Sequence, residues 1–498
     1  MPEEAGEKRS GPIHELITAS GTYSIAVIAQ RLASIVLLPV YTRVLSPSDY
    51  AITELLDLTL SLVSMLVGGQ FSGALFYYYA RCSTQEERDT TVSTVLLGTF
   101  LLGGLAGTLG FVAAPALSRL VFQTDQDANY FRIASVSLGL TFSLEACFNW
   151  LRAINKPRLF VGASILRLGL VIILAAVLML GFKMRVTGVL WSTLGSVAIT
   201  TAGLSVYALL RIPIRFDTAL FWSVLRYSAP IGLMSLSMFV INFGDRFLLQ
   251  RFAGLDNLGL YSLAYKISMS VGLLQQAFSS YWSAQVYQLL GSPDGRRIFA
   301  RVFTYLLFAM STSGVLIIVA APAALRVMTT PAYYPAVGMI PWLVIIYVIR
   351  TAADHLRSIF YVQKKPGTDA VVAVLSAVVC VAGYLTLIPA FKNYGAIAAT
   401  GLAFTSMLIL SYWLGQKIWP FYLERSRVAK LAVAVITAVV LSGLFSRKPS
   451  GILIHIAVAA GCMAVYAAVL KLLGFITSEE KERLVEMYRE GVKRVWVT

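Results

Sequence analysis

Charged side chains lie inside long apolar runs of this chain: Arg31, Glu54 and Asp57, Glu145, Arg167, Asp245 and Arg246, Lys266, and Arg350, Asp354, His355 and Arg357. A charge at the centre of a bilayer costs about 2.5–3.5 kcal/mol, so such groups face a cavity or one another. An arginine there offers a permanent charge and a planar fork that binds a phosphate or carboxylate through two bonds at once. Arg31 lies about 21 Å of helical rise into its run, beyond easy reach of the nearer surface. It suits an anion crossing the membrane, and Glu54 or Asp57 could neutralise it in another state. Arg350, Asp354, Arg357 and Tyr361 follow i, i+4, i+7, i+11 spacing and share one helix face. Arg31, Arg350, Arg357 and Lys266 are therefore candidates for binding an anionic group, and Asp57, Asp245, Arg246 and Asp354 for coupling or gating. Arg350 could instead pair with Asp354, Arg357 and His355 could reach headgroups, and Lys266 could snorkel outward. Asp245 and Arg246 are adjacent, so on a continuous helix they point to different partners. Glu145 and Arg167 are expected to pair structurally.

The same residue types give no catalytic or metal-binding constellation. His14, His355 and His455 are far apart, Cys82, Cys147, Cys380 and Cys462 are isolated, and no GxxxxGK[ST] loop is present. No enzyme activity, metal or cofactor is expected.

The elements that must position these charges are membrane helices. The chain has 498 residues, of which 57% are hydrophobic and 13% charged, and its mean hydropathy is +0.74. Average soluble chains are about 25% charged, so a soluble enzyme, a disordered regulator and a disulfide scaffold are excluded. The net charge of +16 resides largely in connectors between apolar runs, the mark of membrane topology and not of nucleic-acid binding. About fourteen runs reach the length of a spanning helix: 17–42, 49–79, 91–114, 130–152, 159–182, 187–210, 224–250, 258–288, 299–327, 334–361, 368–390, 394–417, 428–446 and 451–473. Lys and Arg concentrate in the N-terminal segment, every second connector and the C-terminal tail, which places both termini in the cytoplasm.

The expected fold is an all-α integral membrane protein. A cytoplasmic segment (1–16) precedes spans 1–6 (17–212), spans 7–12 (222–418), spans 13 and 14 (427–473) and a cytoplasmic tail (475–498). YTRVLSPSDYAI (41–52) and LQRFAGLDNLGL (249–260) each end an apolar run with an arginine and a polar turn. Two six-helix lobes related by a pseudo-two-fold axis along the membrane normal are therefore expected. Thr477 and Glu480 have capping-box spacing before an amphipathic stretch suited to the inner leaflet. Gly103, Gly107 and Gly110 have the small-residue spacing of close helix packing.

The segments SGTYSIAVIAQRLASIVLLPVYTRVLSPSDYAITELLD (20–57) and YSAPIGLMSLSMFVINFGDRFLLQRFAGLDNLGLYSLAYKI (227–267) resemble the starts of the two halves of bacterial polysaccharide repeat-unit flippases. These form the Wzx-like, O-antigen and exopolysaccharide branch of the multidrug/oligosaccharidyl-lipid/polysaccharide exporter superfamily. The resemblance implies movement of an undecaprenyl-pyrophosphate-linked oligosaccharide across the bacterial inner membrane by alternating access. Its partners would be that lipid-linked substrate, membrane lipid and other polysaccharide-assembly membrane proteins, with no nucleic acid. Peptidoglycan-precursor flippases and multidrug exporters share the implied fold. A membrane polymerase or ligase of the same pathway is the alternative of another class, and would be expected to carry a large extramembrane loop.

Overall fold

The computed structural model describes residues 37–67, 71–287, 294–446, 452–475 and 480, and among these every regular element is helical. Fifteen α-helices are described: α1 (Pro47–Val67), α2 (Leu75–Tyr79), α3 (Gln85–Val112), α4 (Ala114–Phe122), α5 (Ala128–Ala153), α6 (Pro157–Ala175), α7 (Val186–Leu209), α8 (Thr218–Phe243), α9 (Asp245–Met269), α10 (Gly272–Gln285), α11 (Gly295–Met328), α12 (Ile340–Val362), α13 (Pro366–Ile418), α14 (Arg425–Ser446) and α15 (Ile452–Leu472). Nine described helices, counting α6 with its π-helical end, are long and apolar enough to cross a membrane. A tenth span results if Pro331–Gly338 and α12, bent by 47°, count together. Large apolar side chains such as Leu120, Leu210 and Leu472 remain exposed, as a lipid-facing surface requires. The protein is an all-helical, multi-pass membrane protein.

The expected runs 368–390 and 394–417 are the two limbs of one long element, whereas two other runs are subdivided. The long α13 breaks at Lys392 (φ 52°) and doubles back, since Tyr384 and Thr400 share a hydrogen bond of 3.2 Å. A Cβ at Gly395 would lie 2.1 Å from the Leu387 carbonyl oxygen, so this turn requires glycine. The run 258–288 is divided between α9 and α10. The run 49–79 ends in a 3-10 turn, Phe71–Ala74, followed by α2.

The chain forms two compact units, Met1–Gly259 and Leu260–Thr498. In the first, α3 packs on α5 where Gly103 approaches Gly139: a Cβ at Gly103 would lie 2.5 Å from the Gly139 carbonyl oxygen. Thr84 and Glu87 begin α3 with a reciprocal capping box, and the Asp217 side chain caps α8. The connectors sort by parity. Arg185 pairs with Asp49 and Ser48 bonds Asp256, whereas Arg215 pairs with Glu86 and the Asp217 backbone N–H donates to Thr94. Chain ends that alternate between two sides of a layer produce this sorting.

The second unit has an aromatic-rich core that includes Trp282, Phe299, Phe303, Phe421 and Tyr466. Glu480 lies at its margin and accepts two bonds from Arg427, at 3.0 and 3.1 Å, and one from Tyr305. Thr477 lies outside the described residues, as does the amphipathic stretch after Glu480.

Candidate functional site

The face of α12 marked out by spacing forms a continuous ladder of charge. Arg357 donates from Nε to Asp369 Oδ1 at 2.6 Å and from Nη2 to Asp369 Oδ2 at 2.9 Å, a bidentate fork. Tyr361 donates its hydroxyl to the same Oδ2 at 2.8 Å. One turn away, Asp354 accepts from Arg357 Nη1 at 3.3 Å and from Gln275 Nε2 of α10 at 2.8 Å. Thr351 donates to Gln275 Oε1 at 2.9 Å, which orients that amide with its NH2 towards Asp354. Arg350 ends the ladder, with Nε 3.8 Å from Asp354 Oδ2 and its guanidinium 5.4 Å from the centre of the Phe404 ring.

Two arginines and two aspartates balance formally, and their environments differ. The side chains of Arg357 and Asp369 are 15% and 7% exposed, those of Arg350 and Asp354 25% and 33%. The inner pair is a short fork of two hydrogen bonds in the more buried setting. The outer pair is longer and wetter, so the Arg350–Asp354 contact itself costs less to exchange than the Arg357–Asp369 fork.

Of the candidates read from spacing, Arg350, Asp354 and Arg357 come together. Arg31 lies outside the described residues. Asp57 is exposed on α1 and Lys266 is half-buried on α9. Two expectations need correction. Asp245 and Arg246 do not point apart: they pair with each other at 2.5 Å, both 1% exposed. Both open α9 after Gly244, whose own backbone is helical (φ −63°, ψ −27°), and the long Arg246 side chain folds back to reach Asp245 and the Asn242 carbonyl oxygen, the latter at 2.8 Å. His355 and Arg357 do not reach headgroups: His355 is 3% exposed within an aromatic cage, and Asp369 holds Arg357. Glu145 acts electrostatically on Arg167 without a described contact pair. Sequence reasoning missed Asp369 and Gln275. Asp369 carried a signal, an acidic residue in the first turn of an apolar run after Pro366; Gln275, uncharged in a mixed run, carried none.

The bundle of apolar helices with a charge ladder on one of them is that of a multi-pass membrane protein, and solved structures agree in fold. The chain is similar to "Lipid II flippase MurJ, inward closed conformation" with a TM-score of 0.71 and 14% identity, covering 90% of this chain and 98% of that one. It is similar to an inward-facing multidrug resistance MATE family transporter of the MOP superfamily with a TM-score of 0.67 and 14% identity, covering 78% and 94%. A MOP superfamily transporter from Pyrococcus furiosus, described as having a binding pocket of reverse polarity, gives a TM-score of 0.58 at 15% identity, covering 83% and 98%. At these identities the likeness is one of fold. Comparison with curated protein sequences gives no match. The family model "Polysaccharide biosynthesis protein" matches residues 18–285, more than half of the chain. The chain belongs to the polysaccharide biosynthesis protein family.

Proposed function

We propose that this protein is a flippase of the O-antigen or exopolysaccharide branch. It carries an undecaprenyl-pyrophosphate-linked oligosaccharide from the inner to the outer leaflet of the bacterial inner membrane, with both termini in the cytoplasm. It acts by alternating access and is not an enzyme. Family membership supports the polysaccharide context, and the fold likeness to a lipid II flippase supports a lipid-linked cargo. The observation that carries the reading is the unequal ladder on α12, a short bidentate Arg357–Asp369 pair beside a longer, 3.8 Å Arg350–Asp354 pair. A pyrophosphate can replace Asp354 as the partner of Arg350 and leave Arg357 to keep the helix positions fixed. Arg31 and Lys266 are the further cationic candidates, and Asp57, Asp245 and Arg246 the further coupling or gating candidates. One charge crossing 100 mV is worth about 2.3 kcal/mol, so the membrane potential is adequate to drive a cycle.

The test is outer-leaflet delivery of lipid-linked glycan in a strain lacking its own copy, with inserted protein as control. Arg350→Ala is expected to lose delivery and Arg350→Lys to keep part of it. Recovery by the Arg350→Ala/Asp354→Ala double variant would reduce Arg350 to a structural partner. The likeness to the lipid II flippase favours one second reading, transport of a peptidoglycan precursor. Complementation of a strain lacking its lipid II flippase, without delivery of polysaccharide repeat units, would select that reading.

A further inference from the structure

A second feature of the same unit lies beside the ladder. A half-open cavity of about 160 Å³ is bounded by α10, α11 and α12. We propose that it is a subsite for one uncharged pyranose ring of the glycan, an inference that rests on the flippase reading and names part of its substrate.

The two main walls are built alike. α10 presents Gln275, Ser279 and Trp282, and α12 presents Asp354, His355 and Ser358. Both sets follow i, i+4, i+7 or i, i+1, i+4 spacing, so each is a single helix face. On the α12 wall His355 is packed among aromatic rings, with centroids 4.4 Å from Phe299, 5.0 Å from Trp282, 5.7 Å from Phe303 and 6.1 Å from Phe278. It is 3% exposed, and neither ring nitrogen makes a well-formed hydrogen bond among the described residues, although the Phe299 backbone is a polar neighbour of the ring. Buried polar atoms are ordinarily satisfied, and one that is not calls for a ligand or ordered water.

The chemistry of the walls selects the class of ligand. Asp354 is the one carboxylate among the lining residues, and Arg357 and Arg350 already balance it. The cavity therefore has no surplus charge with which to hold a pyrophosphate or a metal ion. Of its other polar groups the Gln275 amide is engaged by Asp354 and Thr351, which leaves hydroxyls and an imidazole, each of which can both donate and accept. A sugar hydroxyl does the same. The apolar remainder, Phe278, Trp282 and Leu306, suits the C–H faces of a pyranose, and small-molecule sites commonly combine such a surface with a few convergent polar groups. The shared Asp354 joins the two features, so a sugar in the cavity sits one side chain away from the arginine assigned to the pyrophosphate.

The test uses the full-length protein in lipid nanodiscs. Methyl pyranosides of hexoses, 6-deoxyhexoses and N-acetylhexosamines are titrated by saturation-transfer NMR. At least one is expected to bind saturably. His355→Phe keeps the ring in its aromatic cage but removes both nitrogens, and is expected to weaken binding at least tenfold. Ser279→Leu, which fills the cavity from α10, should do the same if the histidine variant does not fold. Inorganic pyrophosphate should not displace the sugar. The subsite is overturned if no glycoside of the panel binds the wild type, or if both variants bind it unchanged; the cavity then holds water alone. Delivery of lipid-linked glycan, measured in parallel, separates the two readings. Wild-type delivery without sugar binding removes the subsite and leaves the flippase, whereas absence of wild-type delivery removes the flippase whatever the nanodiscs show.

Discussion

Replacing Arg357 by methionine is expected to destabilise the protein far more than the same replacement at Arg350, although the two lie on one helix face seven residues apart. Arg357→Met strands Asp369, whose side chain is 7% exposed and loses bonds of 2.6 and 2.9 Å. Removing one partner of a buried ion pair costs about 3–5 kcal/mol. Arg350→Met breaks a 3.8 Å contact between side chains 25% and 33% exposed, and pairs of that kind are worth about 0–1 kcal/mol. The difference arising from the two ion pairs should thus be about 2–5 kcal/mol, read as the shift in equilibrium unfolding of purified protein in mixed micelles, followed by circular dichroism. The double variant Arg357→Met/Asp369→Leu should regain most of the loss, because a packed apolar pair can replace a buried ionic one at little cost. Equal destabilisation by the two arginine variants, or a double variant no better than Arg357→Met, would refute the assignment of a tight Arg357–Asp369 pair and a weaker Arg350–Asp354 pair.

Gly103→Val should lower stability by about 1–3 kcal/mol or more, since overpacking drives the side chain into the Gly139 backbone; unchanged micelle unfolding would mean α3 and α5 can separate freely. Glu480→Ala leaves Arg427, 10% exposed, without its bidentate acceptor, and should cost about 1–3 kcal/mol while delivery per inserted molecule is retained. Loss of delivery at normal stability would assign the start of the tail a role in transport. Single cysteines at positions 48 and 392 should be labelled from outside the cell and those at 86 and 294 should not. Outside labelling at 294 would invert the proposed orientation.

Much of the architecture was legible because lipid imposes it. Each apolar run from 49–79 onward contains helix, and the grouping of Arg350, Asp354, Arg357 and Tyr361 followed from 100° per residue alone. What stayed hidden depended on breaks and on contacts between helices. Arg246 folds back onto its neighbour Asp245, and a periodicity argument that places side chains only by their 100° offset must miss it. Asp369 opens the next helix, where an acidic residue ordinarily serves the helix dipole, so its fork with Arg357 appears only once α12 and α13 are packed. Gln275 and the unsatisfied nitrogens of His355 gain meaning from the walls around them, which no spacing within a single helix reveals.

The most direct test of the flippase reading is reconstitution. Purified protein in vesicles carrying undecaprenyl-pyrophosphate-linked oligosaccharide in one leaflet should transfer it to the other, detected by a membrane-impermeant glycan-modifying enzyme. Transfer should be lost with Arg350→Ala or Arg31→Ala, and retained in part with Arg31→Lys, which keeps the charge without the fork. Vesicles in which the wild type moves no lipid-linked oligosaccharide, or in which both alanine variants move it at the wild-type rate, would contradict that reading.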